Sequence, residues 1–285
     1  MSEPLGAVAP GRVAVVTGAA SGIGLGLCER FAAEGMRVVM ADVEATELSE
    51  QAGRLSGHGA TVLPVVTDVS GPEQVEALRD RAVTAFGAVH VLCNNAGVGG
   101  GHGPLWEISR GEWDWVLGVN LGGVINGIRV FVPLLLEQEA AHVVNTASVF
   151  GVFAGALGPY GISKHAVVAL SETLHLQLRA LGAGHVGVSV LCPGAVRTRF
   201  ATSARNRPAA AAAPPPSGPD ERASEERFRQ LLITTGREPA EVASLVVQAI
   251  RDGRFYILTS SNRDEAIRRR GEEILAGRPP APPFP

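Results

Sequence analysis

Lysine is nearly absent from this chain: of its 25 basic side chains among 285 residues, Lys164 is the one lysine. A coding bias toward arginine explains the scarcity, and a need for a primary amine at one place explains the exception; composition alone leaves both open. Tyrosine is almost as rare, with Tyr160 and Tyr256 the two present. The three cysteines, Cys28, Cys93 and Cys192, are odd in number, widely spaced and set in apolar surroundings. They read as small buried hydrophobes, not as a disulfide frame or a metal set, and a reducing cytoplasm is the expected compartment. The seven histidines show no His-Glu-x-x-His pairing, so no metal is expected. Met1 to Pro10 holds an acid, no basic cluster and no apolar stretch, which does not read as a secretory signal. No run of 18 apolar residues suggests a membrane span. A net charge of −3 offers no basic face for nucleic acid or an acidic membrane.

With 46% hydrophobic and 19% charged residues, the chain has enough apolar mass for one large core. Short β-branched runs alternate with longer amphipathic stretches, the pattern of a parallel sheet covered by helices on both faces. Strands are predicted at 12–17, 37–42, 61–67, 89–93, 142–147, 186–192 and 255–259. Helices are predicted near 22–34, 44–55, 72–86, 111–139, 160–181 and 239–252. Right-handed crossovers then make an α/β, Rossmann-type, doubly wound fold with a seven-stranded parallel sheet in a single domain. The expected limits are a tail at 1–10, a catalytic domain at 11–262 and a tail at 263–285. Within the domain, 195–236 is expected to form a substrate lid containing the low-complexity run Pro208–Pro219, which cannot build a core.

After the first strand comes Thr17-Gly18-Ala19-Ala20-Ser21-Gly22-Ile23-Gly24, running directly into a helical pattern. Glycines there allow a tight turn and let a pyrophosphate approach the positive end of the helix. A glycine-rich turn alone is a weak signal, and the strand before it and helix after it strengthen it. Asp42 ends the second strand, where a carboxylate accepts from both ribose hydroxyls of adenosine and repels a 2′-phosphate. Val43 follows, and neither it nor Ser21 supplies a compensating cation; a cap on the next helix is an equally simple use of Asp42. Tyr160 and Lys164 stand four apart on a predicted helix and so share a face. With two tyrosines and one lysine, that spacing arises by chance about 2 times in 285.

The Thr-Gly-x-x-x-Gly-x-Gly spacing, together with Asn94-Asn95-Ala96-Gly97 after the fourth strand, resembles the short-chain dehydrogenase/reductase family. The resemblance spans roughly Gly11 to Thr259. It implies hydride transfer between NAD(H), on its pro-S face, and a carbonyl or secondary alcohol, in a homodimer or homotetramer. Asn120, Ser148, Tyr160 and Lys164 match that family's catalytic tetrad in order and surroundings. By the resemblance, Tyr160 is the acid/base, Ser148 holds the substrate oxygen, and Asn120 anchors a water that links Lys164 to solvent. Lys164 lowers the tyrosine pKa and reaches the nicotinamide ribose. Cofactor contacts are implied for Gly18, Ser21, Gly22, Ile23, Gly24, Asp42 and Val43, and for the Asp68-Val69 pair after the third strand. They are implied as well for Asn94, Ala96, Gly97, Tyr160 and Lys164, and for Pro193, Gly194, Val196 and Thr198 after the sixth. The interval from Ser148 to Tyr160 is one residue shorter than is frequent in the family, which bears on the loop 151–159.

Read in isolation, Ser148 is a turn cap, Asn120 an undistinguished polar residue in a helix, and Asp68 a helix cap. Two rival functions share the fold: a cofactor-binding sensor, against which the complete tetrad argues, and an epimerase or dehydratase, which generally carries a larger C-terminal domain. The pocket is expected around Val149, Phe150, Val152, Phe153, Leu157 and Trp106 with no clear carboxylate-binding pair, favouring a bulky, lipophilic, uncharged ketone or secondary alcohol as the small-molecule substrate. From Asp42 and the missing cation, direct kinetics are expected to favour NAD over NADP by at least tenfold, about 1.4 kcal/mol; equal efficiency with both would refute this.

Overall fold

A computed structural model describes residues 6–101, 103–153, 155, 157–209, 226, 230, 232–260 and 264–281. Seven strands, β1 (Val13–Thr17), β2 (Arg37–Asp42), β3 (Val62–Val66), β4 (Val91–Asn94), β5 (Ala141–Thr146), β6 (Val186–Cys192) and β7 (Tyr256–Leu258), form one sheet ordered β3-β2-β1-β4-β5-β6-β7. Every neighbouring pair runs parallel. This is the expected doubly wound architecture. Strands β1, β4 and β5 are buried at every position, because helices cover both faces and an uninterrupted apolar run such as Val-Ala-Val-Val-Thr suits that setting. Pro64 sits in β3 at the sheet edge, where its missing N–H costs no ladder bond.

The helices are α1 (Gly22–Ala33), α2 (Ala45–Gly57), α3 (Pro72–Phe86), α4 (Arg110–Leu117), α5 (Gly123–Leu136), α6 (Gly158–Ala180), α7 (Pro239–Asp252) and α8 (Asp264–Leu275). On one face Leu27 and Phe31 of α1, Leu48 of α2 and Val246 of α7 pack on the sheet. On the other, Leu78 of α3, Phe131 of α5 and Leu174 of α6 do so. Each such side chain contributes about 2 kcal/mol of burial.

The single helix expected over 111–139 is instead α4 and α5 joined by one turn of π-helix, Gly118–Gly122. The wide turn carries Asn120, whose buried side chain is held by the backbone of Val98 across the cleft. A local change of helical pitch at such a residue is a known accommodation. The continuous run Arg110–Leu136 is long and apolar enough to cross a membrane by length and composition. Here it buries Phe131 and Leu135 in the core against β4 and α3. The tail begins with α8, whose Ala266 and Ile267 pack against Val149 and Phe153. Most of Pro208–Pro219 lies outside the described residues.

His142 of β5 is buried, and its Nε2 lies 2.8 Å from Ser189 Oγ. Ser189 donates its one proton to the Arg254 carbonyl at 2.6 Å, so the ring must donate at Nε2. Burial pushes its pKa down to about 4. The unfolded chain therefore binds one more proton than the native state between pH 6.5 and 4. This stabilisation is complete above the ordinary histidine value and is lost as pH falls. Between pH 7 and pH 4 the native protein is expected to lose on the order of 3 kcal/mol more than His142→Gln in urea titrations; parallel pH profiles would refute the assignment.

Candidate active site

The chain reverses its direction of winding between β1 and β4, and a cleft opens at the carboxyl ends of these strands. Thr17 and Asn95 hold its floor. Thr17 Oγ1 accepts the Asn95 and Ala96 N–H groups at 2.9 and 3.1 Å, and Asn95 Nδ2 donates to the Thr17 carbonyl at 2.9 Å. A cavity of about 550 Å³ fills the cleft. Gly18, Ser21, Gly22 and Ile23 line it from the glycine-rich turn, and Asp42 and Val43 from the end of β2. Asp68, Val69, Ala96 and Gly97 add the next two strand ends, with Pro193, Gly194, Val196 and Thr198 after β6. Ser148, Tyr160 and Lys164 line the same space.

Two expected cofactor contacts stand behind the wall instead. Gly24 lies so close beneath the turn that a Cβ there would come within 2.0 Å of the Gly18 carbonyl, so its role is to let α1 pack on the loop. Asn94 points into the protein and donates to Asn145 Oδ1 at 2.9 Å, while its neighbour Asn95 reaches the cavity. The alternation of side chains along a strand makes that difference.

The turn and first helix suit a dinucleotide. Ser21 precedes α1 without a side-chain cap, and no acid stands in the first turn, so the positive end of a 12-residue helix meets the cavity uncompensated. Asp42 accepts Ala20 N–H at 2.9 Å with one oxygen and Glu44 N–H at 3.0 Å with the other. A carboxylate has about four acceptor sites, so these two bonds to the loop backbone leave others toward the cavity. Asp68 Oδ1 accepts the N–H and hydroxyl of Ser70, at 2.9 and 2.7 Å, and shapes the loop before α3.

At the other end of the cavity, Asn120 accepts Val98 N–H at 2.8 Å and donates to the Val98 carbonyl at 2.9 Å and to Ser163 Oγ at 3.2 Å. It lies behind the wall and ties the loop after β4 to α6. Ser148 caps a short 3₁₀ turn by accepting Phe150 N–H at 3.2 Å, and it also hydrogen-bonds Tyr160. The short interval between these two is absorbed at Gly158, whose φ of +49° starts α6 two residues before Tyr160. A Cβ at Gly158 would lie 2.4 Å from the Gly101 carbonyl.

Lys164 is buried and donates to the Thr146 carbonyl at 2.9 Å; its Nζ is 5.8 Å from the Tyr160 ring centre. Burial pulls the lysine pKa down to about 8. Burial pushes Tyr160 up to about 12, and the Ser148 hydrogen bond offsets only part of this. The chain by itself therefore holds Tyr160 as a proton donor, and the ammonium of Lys164 does not bring it near neutrality.

The pocket also differs in part. Val149, Phe150 and Leu157 line it, but Phe153 is buried against Val149 and Ala266, and Trp106 is 85% exposed. Trp115, on the inward face of α4, takes the expected place of Trp106. The sequence reading also missed Phe200, Ser203, Arg199 and Arg205, which arrive on the turn Arg199–Asn206 from far along the chain. No local signal marks them.

The profile of the short chain dehydrogenase family matches residues 12–209. The chain belongs to this family. A 1-deoxy-11-beta-hydroxypentalenate dehydrogenase of Streptomyces exfoliatus is 41% identical over 264 residues, spanning 92% of this chain and 86% of its own. The C alpha-dehydrogenase of a Sphingobium species is 32% identical, spanning 93% and 85% respectively. The crystal structure of a short-chain dehydrogenase/reductase from Burkholderia phymatum in complex with NAD shares 45% identity at a TM-score of 0.93, covering 98% of this chain and 99% of that one. This short-chain dehydrogenase is an NAD(H)-dependent oxidoreductase that interconverts a secondary alcohol and a ketone.

The front of the site is fixed by a buried ion pair. Glu112 Oε1 accepts from Gly101 N–H and from Arg207 Nη2, both at 2.8 Å, and the guanidinium lies 4.8 Å above the Trp115 ring. Glu112→Ala leaves Arg207 without its counter-charge and is expected to cost about 3 kcal/mol or more by urea unfolding. A loss below about 1 kcal/mol would show that the pair is replaceable by solvent.

Proposed function

We propose that Tyr160 exchanges the proton with the substrate oxygen, with Ser148 holding that oxygen and Lys164 and Asn120 positioning the machinery. The observation that carries this reading is the convergence of the Tyr160 phenol, the Ser148 hydroxyl and the Lys164 ammonium on one cavity whose far end carries Asp42. When bound, the nicotinamide supplies or accepts the hydride. In the direction of reduction, Tyr160 gives its proton to the oxygen as charge develops there, and Ser148 stabilises that charge by hydrogen bonding. In oxidation the phenol must first lose its proton, and the positive charge of the oxidised cofactor favours this. Lys164 is anchored by the Thr146 carbonyl, which leaves further N–H donors for the cofactor ribose or a proton relay. Asn120 holds Val98 and Ser163, and so fixes the wall opposite Tyr160. A water bound near Asn120 remains part of the proposed relay from Lys164 to solvent. The cofactor contacts listed for the glycine-rich turn, Asp42-Val43, Asp68-Val69, Ala96-Gly97 and the 193–198 segment are proposed on the same footing.

The substrate is proposed to be a bulky, lipophilic ketone or secondary alcohol, uncharged at its reacting end. Val98, Trp115, Phe150, Leu157, Phe200 and Leu232 supply apolar wall, and Phe200 packs on Tyr160 with ring centres 5.3 Å apart. The names of the Streptomyces relatives specify a hydroxyl-bearing substrate, 1-deoxy-11-beta-hydroxypentalenate. The segment 195–236 is proposed as the lid. Its two ends are stitched together, Arg197 N–H to the Arg237 carbonyl at 2.9 Å and Arg237 N–H to the Ala195 carbonyl at 3.0 Å, which sets both ends of the segment side by side. Apolar side chains exposed on α5 and α6, including Ile125, Ile162 and Leu176, support self-association as a dimer or tetramer. The buried, unpaired cysteines support a reducing cytoplasm.

Tyr160→Phe tests the central assignment. With a panel of ketones of graded size and NADH, the variant is expected to lose turnover by about a thousandfold or more while its NADH affinity stays within about threefold. Retention of more than a small fraction of activity would remove Tyr160 from the role, and best rates with small polar ketones would overturn the substrate reading.

A further inference from the structure

The expected exclusion of a 2′-phosphate rested on Asp42 and on the lack of a nearby cation, but the fold brings a cation there. Arg205 reaches back from the turn after β6 to the start of α2. Its Nε donates to Glu44 Oε1 at 2.7 Å and its Nη2 to Glu44 Oε2 at 2.8 Å. Its remaining nitrogen, Nη1, donates to the Thr202 carbonyl at 3.0 Å and to the Arg199 carbonyl at 3.2 Å. Asp42, Val43, Glu44 and Arg205 all face the same end of the cavity. Arg199 adds a second guanidinium, but it donates to Glu47 at 3.2 Å and is farther from Glu44, at 4.0 Å.

A guanidinium fork matches a phosphate as well as it matches a carboxylate. In this chain the fork of Arg205 is filled on both prongs by Glu44. The pair is mutually reinforcing: Arg205 holds the Glu44 carboxyl below the usual range, and Glu44, with Asp42 and Glu47 nearby, raises the pKa of Arg205. We propose that Glu44 is a cofactor-specificity residue: by occupying the Arg205 fork beside Asp42, it withholds the nearer guanidinium, which would otherwise receive a 2′-phosphate. The choice of NAD(H) then rests on Asp42, Glu44 and Arg205 together. This inference depends on the reading that the Asp42 end of the cavity holds the adenosine ribose.

Direct binding tests it without needing the substrate. Isothermal titration of the full chain with NAD+, NADP+ and adenosine 2′,5′-bisphosphate is compared among the native protein, Asp42→Asn, Arg205→Ala, Glu44→Gln, Asp42→Asn/Glu44→Gln, and the last two with Arg205→Ala added. Glu44→Gln keeps an acceptor for the fork and the shape of the side chain while removing the charge. It is expected to raise affinity for NADP+ relative to NAD+ about tenfold, and the double variant about a hundredfold, with the gain shrinking as salt is raised. Adding Arg205→Ala is expected to remove most of that gain, while in the native background it leaves the ratio within about threefold. If the gain survives Arg205→Ala, or if Glu44→Gln leaves the ratio unchanged, Glu44 does not act through Arg205 and the inference fails while the cofactor site stands. If Asp42→Asn alone alters neither nucleotide's affinity, the ribose is not at that end, and the reading beneath the inference fails with it.

Discussion

The site depends on one constraint of chain path: parallel strands need crossovers, and after β3 the chain crosses back over β1 to lay β4 on its other side. Helices on the two sides of that reversal are drawn to opposite faces, so the strand ends between them are left uncovered. The Thr17 and Asn95 hydrogen bonds fasten the two strand ends at that point and keep the gap narrow. Every residue of the proposed chemistry is placed by its distance from this gap. The glycine-rich turn leaves β1, Asp42 leaves β2, Ser148 follows β5, and the turn with Phe200 and Arg205 follows β6. A strand end can present a side chain to the gap only at the right phase, which is why Asn95 lines it and Asn94 does not.

Two electrostatic regimes meet in this cleft. Around Tyr160 and Lys164 the surroundings are apolar and dry, and desolvation dominates: it holds the phenol protonated and makes the ammonium easier to discharge. The phenol is thereby kept neutral until a charged cofactor arrives, which suits a proton donor whose work begins only in the ternary complex, while Lys164 remains mainly an ammonium at neutral pH. At the adenosine end the carboxylates and guanidiniums are partly exposed and paired across elements, Arg205 with Glu44 and Arg199 with Glu47. Such pairs are individually weak and salt-sensitive, so they can hold a lid without locking it. The buried Glu112 and Arg207 pair lies between these regimes and anchors the far end of the same turn.

The sequence alone determined the fold class, the limits of most elements and the placing of Tyr160 and Lys164 on one helix. The physical reason is that these are local properties: apolar periodicity distinguishes strand from helix, glycines mark a tight turn, and Tyr160 and Lys164 share a face wherever the helix goes. It also allowed both uses of Asp42 without ranking them, and the structure shows one carboxylate serving the backbone while still facing the cavity. Only the tertiary structure decided which side of the wall Asn94, Gly24 and Asn120 occupy, because that depends on strand phase and on the close approach of α1 to its loop. It replaced Trp106 by Trp115 in the pocket, since Trp106 stands in the exposed turn before α4 whereas Trp115 lies on the side of α4 that packs inward. It set the Tyr160 phenol above its ordinary pKa in the chain by itself, because desolvation depends on what packs around the ring. Above all, it placed Arg205 against Glu44 across 161 positions of chain, a contact with no local trace, since it exists only after the sheet has closed and the turn after β6 has folded back over β2.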